Sequence, residues 1–278
     1  MSLTAKISAR GLCKIFGETP RQVTALQNVD LDVYQNEFVT LVGASGCGKS
    51  TLLRIIAGLE HHSGGELMVA GKPVRGPGVD RAMVFQHYSL YAWLTVMQNI
   101  TFCRRLKVGR QDLTTNDVEI ASGRADTLLN LMGLPKVADA WPNQLSGGMQ
   151  QRVAIARALM PRPEVLLMDE PFGALDAQTR EVMHDLILHV FRLERTTIVF
   201  VTHDVEEAIY LGQRVVVLAP NPGRIDSVHE VPLPMQRTQD MKHRPEFVEL
   251  KRAIVARIRE TSGMKTDLEL LEKLSATV

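Results

Sequence analysis

A glycine-rich run at residues 43–51 has the residue types and spacing of a phosphate-binding loop. Its sequence, GASGCGKST, fits the pattern G-x-x-x-x-G-K-[ST] between a predicted strand at 37–42 and a predicted helix at 52–57. In such a loop, backbone N–H groups surround phosphate oxygens, the lysine reaches the β- and γ-phosphates, and the hydroxyl ligates Mg²⁺. The run therefore predicts a site for a nucleoside triphosphate and Mg²⁺. We expect Lys49 to be an exposed loop residue and Cys47 to be accessible, with a thiol pKa lowered by the nearby helix start.

Two acidic residues and one histidine follow apolar runs elsewhere in the chain. Asp169 and Glu170 end the run at 165–168, where a buried parallel strand would emerge at its carboxyl end. Asp169 would hold the Mg²⁺ hydration shell and Glu170 would polarise an attacking water, although a strand can also end in two solvated acids. His203 follows a third apolar run and could reach a γ-phosphate, or it could be structural. Asp204 and Glu207 predict a capping box at the next helix.

A second glycine cluster, residues 145–150, opens a predicted helix and provides another anion-binding terminus. One triphosphate has a single γ end, so the second terminus would serve the nucleotide of another copy. The pattern therefore predicts a head-to-tail dimer with two sandwiched nucleotides. The alternative is that Ser146 only caps a helix.

The elements that must position these residues are short strands first and helices later. Strands are predicted at 5–12, 29–33, 37–42, 66–69, 165–168, 197–201 and 214–219. Apolar residues at helical spacing predict helices over 121–132 and 182–191, and a last one carries Phe247, Leu250, Ile254 and Ile258. Strand, helix and strand in succession imply a parallel sheet. The region from 96 to about 160 is mainly helical and is inserted between two strand-rich parts.

The composition of the 278-residue chain is that of an ordinary globular protein. Lys and Arg number 32 against 31 Asp and Glu, so the net charge of +1 offers no field that would attract nucleic acid. No apolar run approaches the roughly 20 residues of a membrane-spanning helix. Three scattered cysteines and the absence of a visible secretory signal indicate a cytosolic protein.

These motifs, in this order, resemble the ATP-binding subunits of ABC transporters over nearly the whole chain. Residues 43–51 resemble Walker A, 169–170 the end of Walker B, 145–150 the signature motif and 173–176 the D-loop, which contains Asp176. The resemblance implies catalytic roles for Glu170 and His203, the latter as the switch histidine. It implies ATP contacts at Phe16 (stacking on adenine), Gly43, Ser45, Gly46, Cys47, Gly48, Lys49, Ser50, Thr51 and Gln86. It also implies contacts to the partner's ATP at Ser146, Gly147, Gly148 and Gln150, and Mg²⁺ contacts at Ser50, Gln86 and Asp169.

The resemblance also implies an α/β fold. A P-loop NTPase core with a mainly parallel sheet would carry an N-terminal antiparallel β subdomain and an inserted α-helical subdomain. The predicted boundaries are 1–95 for the β-rich part and first half of the core, 96–160 for the helical signature subdomain, 161–218 for the second half of the core and 219–278 for a C-terminal tail.

Residues 77–81, 93–96 and 222–225 are similar to the nitrate, sulfonate and taurine importer branch of the family. This resemblance implies an ATPase on the inner face of the cell membrane. It would power import of a small solute through separate transmembrane subunits, with an extracytoplasmic binding protein delivering the solute. Residues 87–94, here called the aromatic loop, suit a groove for a helix of the transmembrane partner, or a small core cluster.

Three alternatives fit the sequence less well than this interpretation. A soluble ABC-type ATPase of DNA repair or translation would carry long coiled coils or two ATPase units, and this chain has neither feature. A non-hydrolytic scaffold would be expected to lack Glu170 or His203. A GTPase would be expected to carry an Asn-Lys-x-Asp motif, which the sequence does not contain. An importer of another small solute and a soluble ABC-type ATPase not coupled to transport stay open as alternatives.

Overall fold

The computed structural model describes residues 5–108 and 115–263, with side chains given outside 104–122. The strands are β1 (Ala5–Phe16), β2 (Val23–Tyr34), β3 (Phe38–Gly43), β4 (Gly64–Val69), β5 (Lys72–Pro73), β6 (Arg81–Val84), β7 (Val165–Asp169), β8 (Thr197–Val201), β9 (Arg214–Ala219) and β10 (Arg224–Glu230). The helices are α1 (Lys49–Ala57), α2 (Val96–Val108), α3 (Thr115–Leu131), α4 (Gly147–Leu159), α5 (Ala177–Glu194), α6 (Val205–Leu211) and α7 (Pro245–Ser262). Residues 264–278 of the predicted tail lie outside the described residues.

The N-terminal strands form an antiparallel sheet in the order β2-β1-β4-β5. Along β2 the buried residues Val29, Leu31 and Val33 alternate with more exposed ones, as expected for a sheet with one face on a core. This face packs on α1, whose Leu52 and Ile56 are fully buried in the same cluster. The predicted antiparallel β subdomain is confirmed.

The second sheet has the order β10-β9-β3-β8-β7-β6, and all its neighbouring pairs are parallel except β10 with β9. Strands β3, β7 and β8 are buried at every residue. Their side chains on one face join a cluster with α5 and α6, and those on the other join the cluster around α1. This two-sided burial explains the uninterrupted apolar runs that predict a parallel sheet.

Helices α2, α3 and α4 lie between β6 and β7 in the chain and pack on one another, as predicted for an inserted helical part. Leu128, Met132 and Val153 are among the buried residues of this packing. The predicted stripe on α7 is also confirmed, because Phe247 and Ile254 are buried against the core. No helix among residues 5–108 and 115–263 has the length and apolar character needed to cross a membrane.

The core sheet continues past residue 218, where the sequence predicts the tail to begin. Strand β10 pairs with β9 in antiparallel fashion, from Arg224 opposite Ala219 to Glu230 opposite Arg214. Its residues are all exposed or partly exposed, which is normal for an edge strand. The connection between β9 and β10 returns to the first sheet, where Gly223 forms a parallel bridge with Leu26 of β2.

Candidate functional site

The carboxyl ends of three parallel strands bring the predicted site residues to one edge of the core sheet. Strand β3 runs directly into the 43–51 loop, β7 ends at Asp169, and His203 follows β8 after a single intervening residue. The strand register places Asp169 beside Val201 of β8 and Val201 beside Leu41 of β3. Ligands of open α/β sheets bind beyond this edge, so the structure brings together the loop, the acidic pair and the histidine.

A cleft opens between the 43–51 loop and strand β2. It is lined by Ala25, Ser45, Gly46, Gly48, Lys49, Ser50, Thr51 and Glu170. Helix α1 begins at Lys49, and its N-cap Gly48 has φ 92°, a left-handed conformation that favours glycine. Gly43 and Cys47, which the sequence also predicts as ATP contacts, are buried beneath the loop. Six of the predicted loop residues therefore line the cleft, and these two support it from below.

The prediction that Lys49 is an exposed loop residue is wrong. Its exposed fraction is 6%. Its Nζ donates hydrogen bonds to the carbonyl oxygens of Gly43 at 2.9 Å and Ala44 at 3.1 Å. The cause is that α1 begins at Lys49 itself and directs the side chain back under the loop. The ammonium group is consequently held at the floor of the cleft, where it stabilises the loop as well as the site.

The predicted accessibility and lowered pKa of Cys47 are also wrong. The side chain is fully buried, and this burial raises the pKa of the thiol. The Lys49 ammonium, 3.6 Å from Sγ, opposes the shift but does not outweigh the loss of solvation. A thiol in this environment is a packing group rather than a reactive one.

Ser50 and Asp169 form a pair that suits a divalent cation. Ser50 Oγ donates a hydrogen bond to Asp169 Oδ1 at 2.7 Å. Asp169 is only 6% exposed, and its burial raises the pKa of the carboxyl. A buried carboxylate and a hydroxyl are hard oxygen ligands of the kind that Mg²⁺ prefers, and a cation would compensate the desolvated charge. The residues present therefore fit the metal that the sequence predicts.

Glu170 and His203 meet at the rim of the cleft. Glu170 Oε2 lies 3.1 Å from His203 Nδ1, and the histidine side chain is 64% exposed. The backbone of Glu170 has φ 42°, and its N–H donates to Val201 O. Left-handed backbone in a residue other than glycine is uncommon, and it turns this carboxylate from the strand toward the cleft. A carboxylate at this place could accept a proton from water, with the imidazole as its neighbour.

The residues of the second glycine cluster lie on a different part of the molecule. The lining of the Lys49 cleft, among the described residues, draws none of its members from 145–150. Ser146 is the N-cap of α4, and its Oγ accepts a hydrogen bond from Met149 N at 3.3 Å. A side chain at Gly147 would meet Tyr88 Oη at 2.8 Å, and one at Gly148 would meet Thr179 Cγ2 at 2.7 Å. Both glycines therefore lie close to neighbouring side chains, and Gln150 Nε2 donates a hydrogen bond to Leu145 O.

Two aspartates cap the helices that follow the site strands. Asp176 accepts hydrogen bonds from Thr179 N at 2.9 Å and Thr179 Oγ1 at 2.6 Å, which lower the pKa of its carboxyl. Asp204 caps α6 by accepting from the N–H groups of Glu206 and Glu207. The capping box predicted for Glu207 does not form. Its buried Oε1 instead lies 2.7 Å from His184 Nε2.

Sequence reasoning missed this buried pair of His184 and Glu207. His184 lies on α5 with an exposed fraction of 3%, next to the aromatic rings of Phe172 and Tyr210. The stripe that predicts α5 consists of apolar residues and does not include the histidine. His184 lies one helical turn before the buried Leu188. Including the histidine in the stripe would therefore have assigned it to the buried side of α5. Ala25 was missed as well, because nothing in its sequence context marks a cleft residue.

Phe16 and Gln86, two predicted ATP contacts, lie at the ends of strands. Phe16 ends β1, is 39% exposed, and has Lys14 Nζ 4.5 Å from its ring centroid. Gln86 follows β6 on an exposed segment, and Val84 at the end of β6 pairs with Met168, one residue before Asp169. Both roles stay predictions.

The aromatic loop after Gln86 is held by a buried asparagine on its inner side and is exposed to solvent on its outer side. Buried Asn99 holds it, donating from Nδ2 to the carbonyl oxygens of Tyr91, Leu94 and Thr95 and accepting from Tyr91 N through Oδ1. Trp93 is 69% exposed and lies 5.4 Å from the Tyr91 ring. The loop is therefore a fixed surface that presents an aromatic side chain to solvent.

Comparisons with known proteins agree with this geometry. A family model described as ABC transporter matches residues 26–173. An uncharacterized ABC transporter ATP-binding protein of Methanocaldococcus jannaschii is 47% identical over 91% of each chain. The nitrate import ATP-binding protein of Synechocystis is 44% identical over 92% of this chain and 96% of its own. The aliphatic sulfonates import ATP-binding protein of Bacillus subtilis is 40% identical over 91% of this chain and 94% of its own.

Among solved structures, a dimeric ATP-binding cassette bound to ADP and Pi is 32% identical, with a TM-score of 0.71, and the match covers 82% of this chain and 100% of that one. The fold, the site at the strand ends and the relatives lead to one assignment. The chain belongs to the ABC transporter family and has the fold of its ATP-binding cassettes.

Proposed function

We propose that this protein hydrolyses ATP to power import of a small solute, such as nitrate, a sulfonate or taurine, through separate transmembrane subunits. The observation that carries the proposal is the convergence at one cleft of Lys49, the Ser50–Asp169 pair and the Glu170–His203 pair. The solute classes are those named for the relatives from Synechocystis and B. subtilis, together with taurine from the sequence resemblance.

Each residue has a role that its position supports. Lys49 would exchange its two loop carbonyls for the β- and γ-phosphate oxygens, and the loop N–H groups would bind the remaining oxygens. Ser50, Asp169 and Gln86 would hold Mg²⁺, which neutralises charge on the phosphates when bound. Glu170 would orient the attacking water and accept its proton, and His203 would hold the carboxylate through the 3.1 Å contact.

The second glycine cluster supports a head-to-tail homodimer. Ser146 and the start of α4 offer N–H groups and the positive end of a helix dipole, yet they do not line the cleft of their own chain. A second copy would bring this terminus, with Gly147, Gly148 and Gln150, to the γ-phosphate. Asp176 would lie in the D-loop at the same junction. The related cassette bound to ADP and Pi is dimeric.

The aromatic loop would contact the transmembrane subunits. Its exposed Trp93 and the fixed backbone around it suit a short helix from a membrane partner. In this arrangement the protein works in the cytoplasm, at the inner face of the membrane, and an extracytoplasmic binding protein delivers the solute. Transport is tested by purifying the chain with its membrane partners and measuring uptake of labelled nitrate and taurine into vesicles.

The site is tested by Glu170→Gln, which keeps the shape of the side chain but removes its basicity. Hydrolysis should fall about 10²–10⁴-fold while ATP binding is retained. Mg-ATP should then convert the variant from monomer to dimer in light scattering, and ADP should not. Adding Ser146→Arg should block the conversion. The exposed Glu66→Gln is the matched control and should hydrolyse ATP normally. Near-normal hydrolysis in Glu170→Gln would contradict its role as the base.

A further inference from the structure

We infer that Gly223, in the connection between β9 and β10, is a positioning residue that locks strand β2 onto the phosphate loop. The inference rests on the proposed function, because it concerns ATP at the cleft between β2 and residues 43–51. Through this lock, Gly223 would determine how much tighter ATP binds than a triphosphate that lacks the adenosine part.

The lock consists of two backbone hydrogen bonds and one close approach. Gly223 N donates to Ala25 O at 3.1 Å, and Gln27 N donates to Gly223 O at 2.8 Å. A Cβ at Gly223 would lie 2.4 Å from Cys47 O and 2.6 Å from Ala25 O. The glycine is thus wedged between the phosphate loop and β2, with room for no side chain.

The contact reaches the loop by a second path. A Cβ at Gly48 would lie 2.5 Å from Leu26 Cδ2 and 3.0 Å from Ala25 O. Leu26 is fully buried, so its side chain is held against the loop and against Gly223 at the same time. Strand β2, the phosphate loop and the 223 connection therefore pack as one unit around Leu26.

The lock is significant because β2 carries the other wall of the cleft. Ala25 lines that wall, and two residues before it Val23 pairs with Phe16, the residue predicted to stack on adenine. Phe16 therefore depends on β2 for its distance from the phosphate loop. A misplacement of about 1 Å in a functional site can lower a catalytic rate about 100-fold, and we expect a shift between the two walls of this cleft to weaken ATP binding in the same way.

Gly223→Ala tests the close approach alone. Gly223 does not have a left-handed φ, so alanine introduces no backbone strain, only a methyl group facing two carbonyl oxygens. The connection, β2 or the Cys47 carbonyl of the phosphate loop must move, and the two hydrogen bonds lengthen when the connection shifts away from β2. Lys49 keeps its own bonds to Gly43 O and Ala44 O, so phosphate binding should survive.

The experiment compares the affinities of ATP and inorganic tripolyphosphate by calorimetry in wild type, Gly223→Ala and Gly76→Ala. Gly76 is the matched control, since a Cβ there meets no atom within 4 Å and its φ is not left-handed. We expect Gly223→Ala to bind ATP about 10-fold more weakly or worse, with tripolyphosphate affinity changed less than about 3-fold. A role limited to stability would lower the melting temperature and leave the ratio of the two affinities unchanged.

The outcomes separate the inference from the proposed function. Wild-type protein that binds neither ATP nor tripolyphosphate would refute both, and wild-type protein that binds ATP no better than tripolyphosphate would refute the inference. A wild-type affinity ratio in Gly223→Ala would refute the inference alone. Should that variant fail to fold, hydrogen exchange in the wild type decides: the amides of Gln27 and Gly223 should gain more protection from ATP than from tripolyphosphate, and equal protection would overturn the lock.

Discussion

Replacing Asp169 by asparagine should make the ligand-free protein more stable while removing its response to Mg-ATP. The carboxyl is 6% exposed and desolvated, and its main partner is the Ser50 hydroxyl at 2.7 Å. Asparagine keeps the oxygen that accepts this bond and removes the buried charge. Relief of such a functional-site penalty typically contributes about 1 kcal/mol, which corresponds to a rise in Tm of about 2–4 °C for a chain of this size.

The stability gained by Asp169→Asn should increase with pH. Burial raises the pKa of Asp169 above its unfolded value, so the native protein favours the protonated carboxyl. The resulting stability is present below the unfolded pKa and is lost as the pH rises through the folded pKa. The advantage of Asp169→Asn over wild type should therefore be largest at about pH 8 and should shrink as the pH approaches 3.8, the ordinary value for aspartate.

Thermal unfolding of both proteins from pH 5 to pH 8, with and without Mg-ATP, provides the test. A ligand at about 100 times its Kd adds about 2.7 kcal/mol to wild type, whereas the variant should gain little, and the order of stability should reverse. The exposed Asp139→Asn is the control for loss of a surface charge. Equal or lower stability of Asp169→Asn without ligand at pH 8 would refute the desolvation argument. Equal stabilisation by Mg-ATP would refute the metal role.

Three further predictions concern the phosphate loop and the aromatic loop. Lys49→Ala should abolish tight ATP binding in calorimetry. It should also lower the free energy of unfolding by about 1.5–3 kcal/mol, because the buried ammonium bonds two loop carbonyls. Unchanged stability would argue against this second role. A maleimide at neutral pH should label Cys47 at least about 10-fold more slowly than the partly exposed Cys13, as judged by mass spectrometry, and equal rates would contradict the raised thiol pKa. Trp93→Ala should leave stability within about 0.5 kcal/mol and preserve basal ATPase activity but impair uptake by the assembled transporter, whereas a large loss of stability would indicate a core role.

The sequence predicts the buried core strands and the convergence at the cleft because both follow from strong local patterns. Strands β3, β7 and β8 are continuous apolar runs, and the 43–51 loop lies at the end of one of them. The short strands β5 and β6 have little pattern to recognise, and β10 is an edge strand whose polar residues carry no alternation of burial. Their existence depends on neighbouring strands that supply the hydrogen bonds.

Side-chain surroundings were harder to predict than backbone positions. Glu207 fits a capping box in the sequence, but tertiary packing delivers His184 to it from α5, and a buried partner outweighs a local cap. Cys47 lies in a loop by sequence, yet it is fully buried in a cluster with residues of β2 and β9, which are distant in the chain. Lys49 is buried because α1 begins at it and directs its side chain under the loop. Contacts between residues that are distant in the chain cannot be predicted from a local sequence pattern.

The amide of Asn99 has a consequence for recognition. By bonding three carbonyls and one N–H group of residues 91–95, it fixes this part of the backbone before any partner arrives. Ordering a flexible loop on association costs roughly 0.5–1.5 kcal/mol for each side chain that is immobilised, in addition to the backbone cost. With Asn99 in place the backbone share of that entropy loss is incurred during folding, so a membrane partner of the kind proposed above would meet a backbone that is already fixed. Selectivity for that partner then depends on shape, since a rigid surface cannot adapt to a mismatched one.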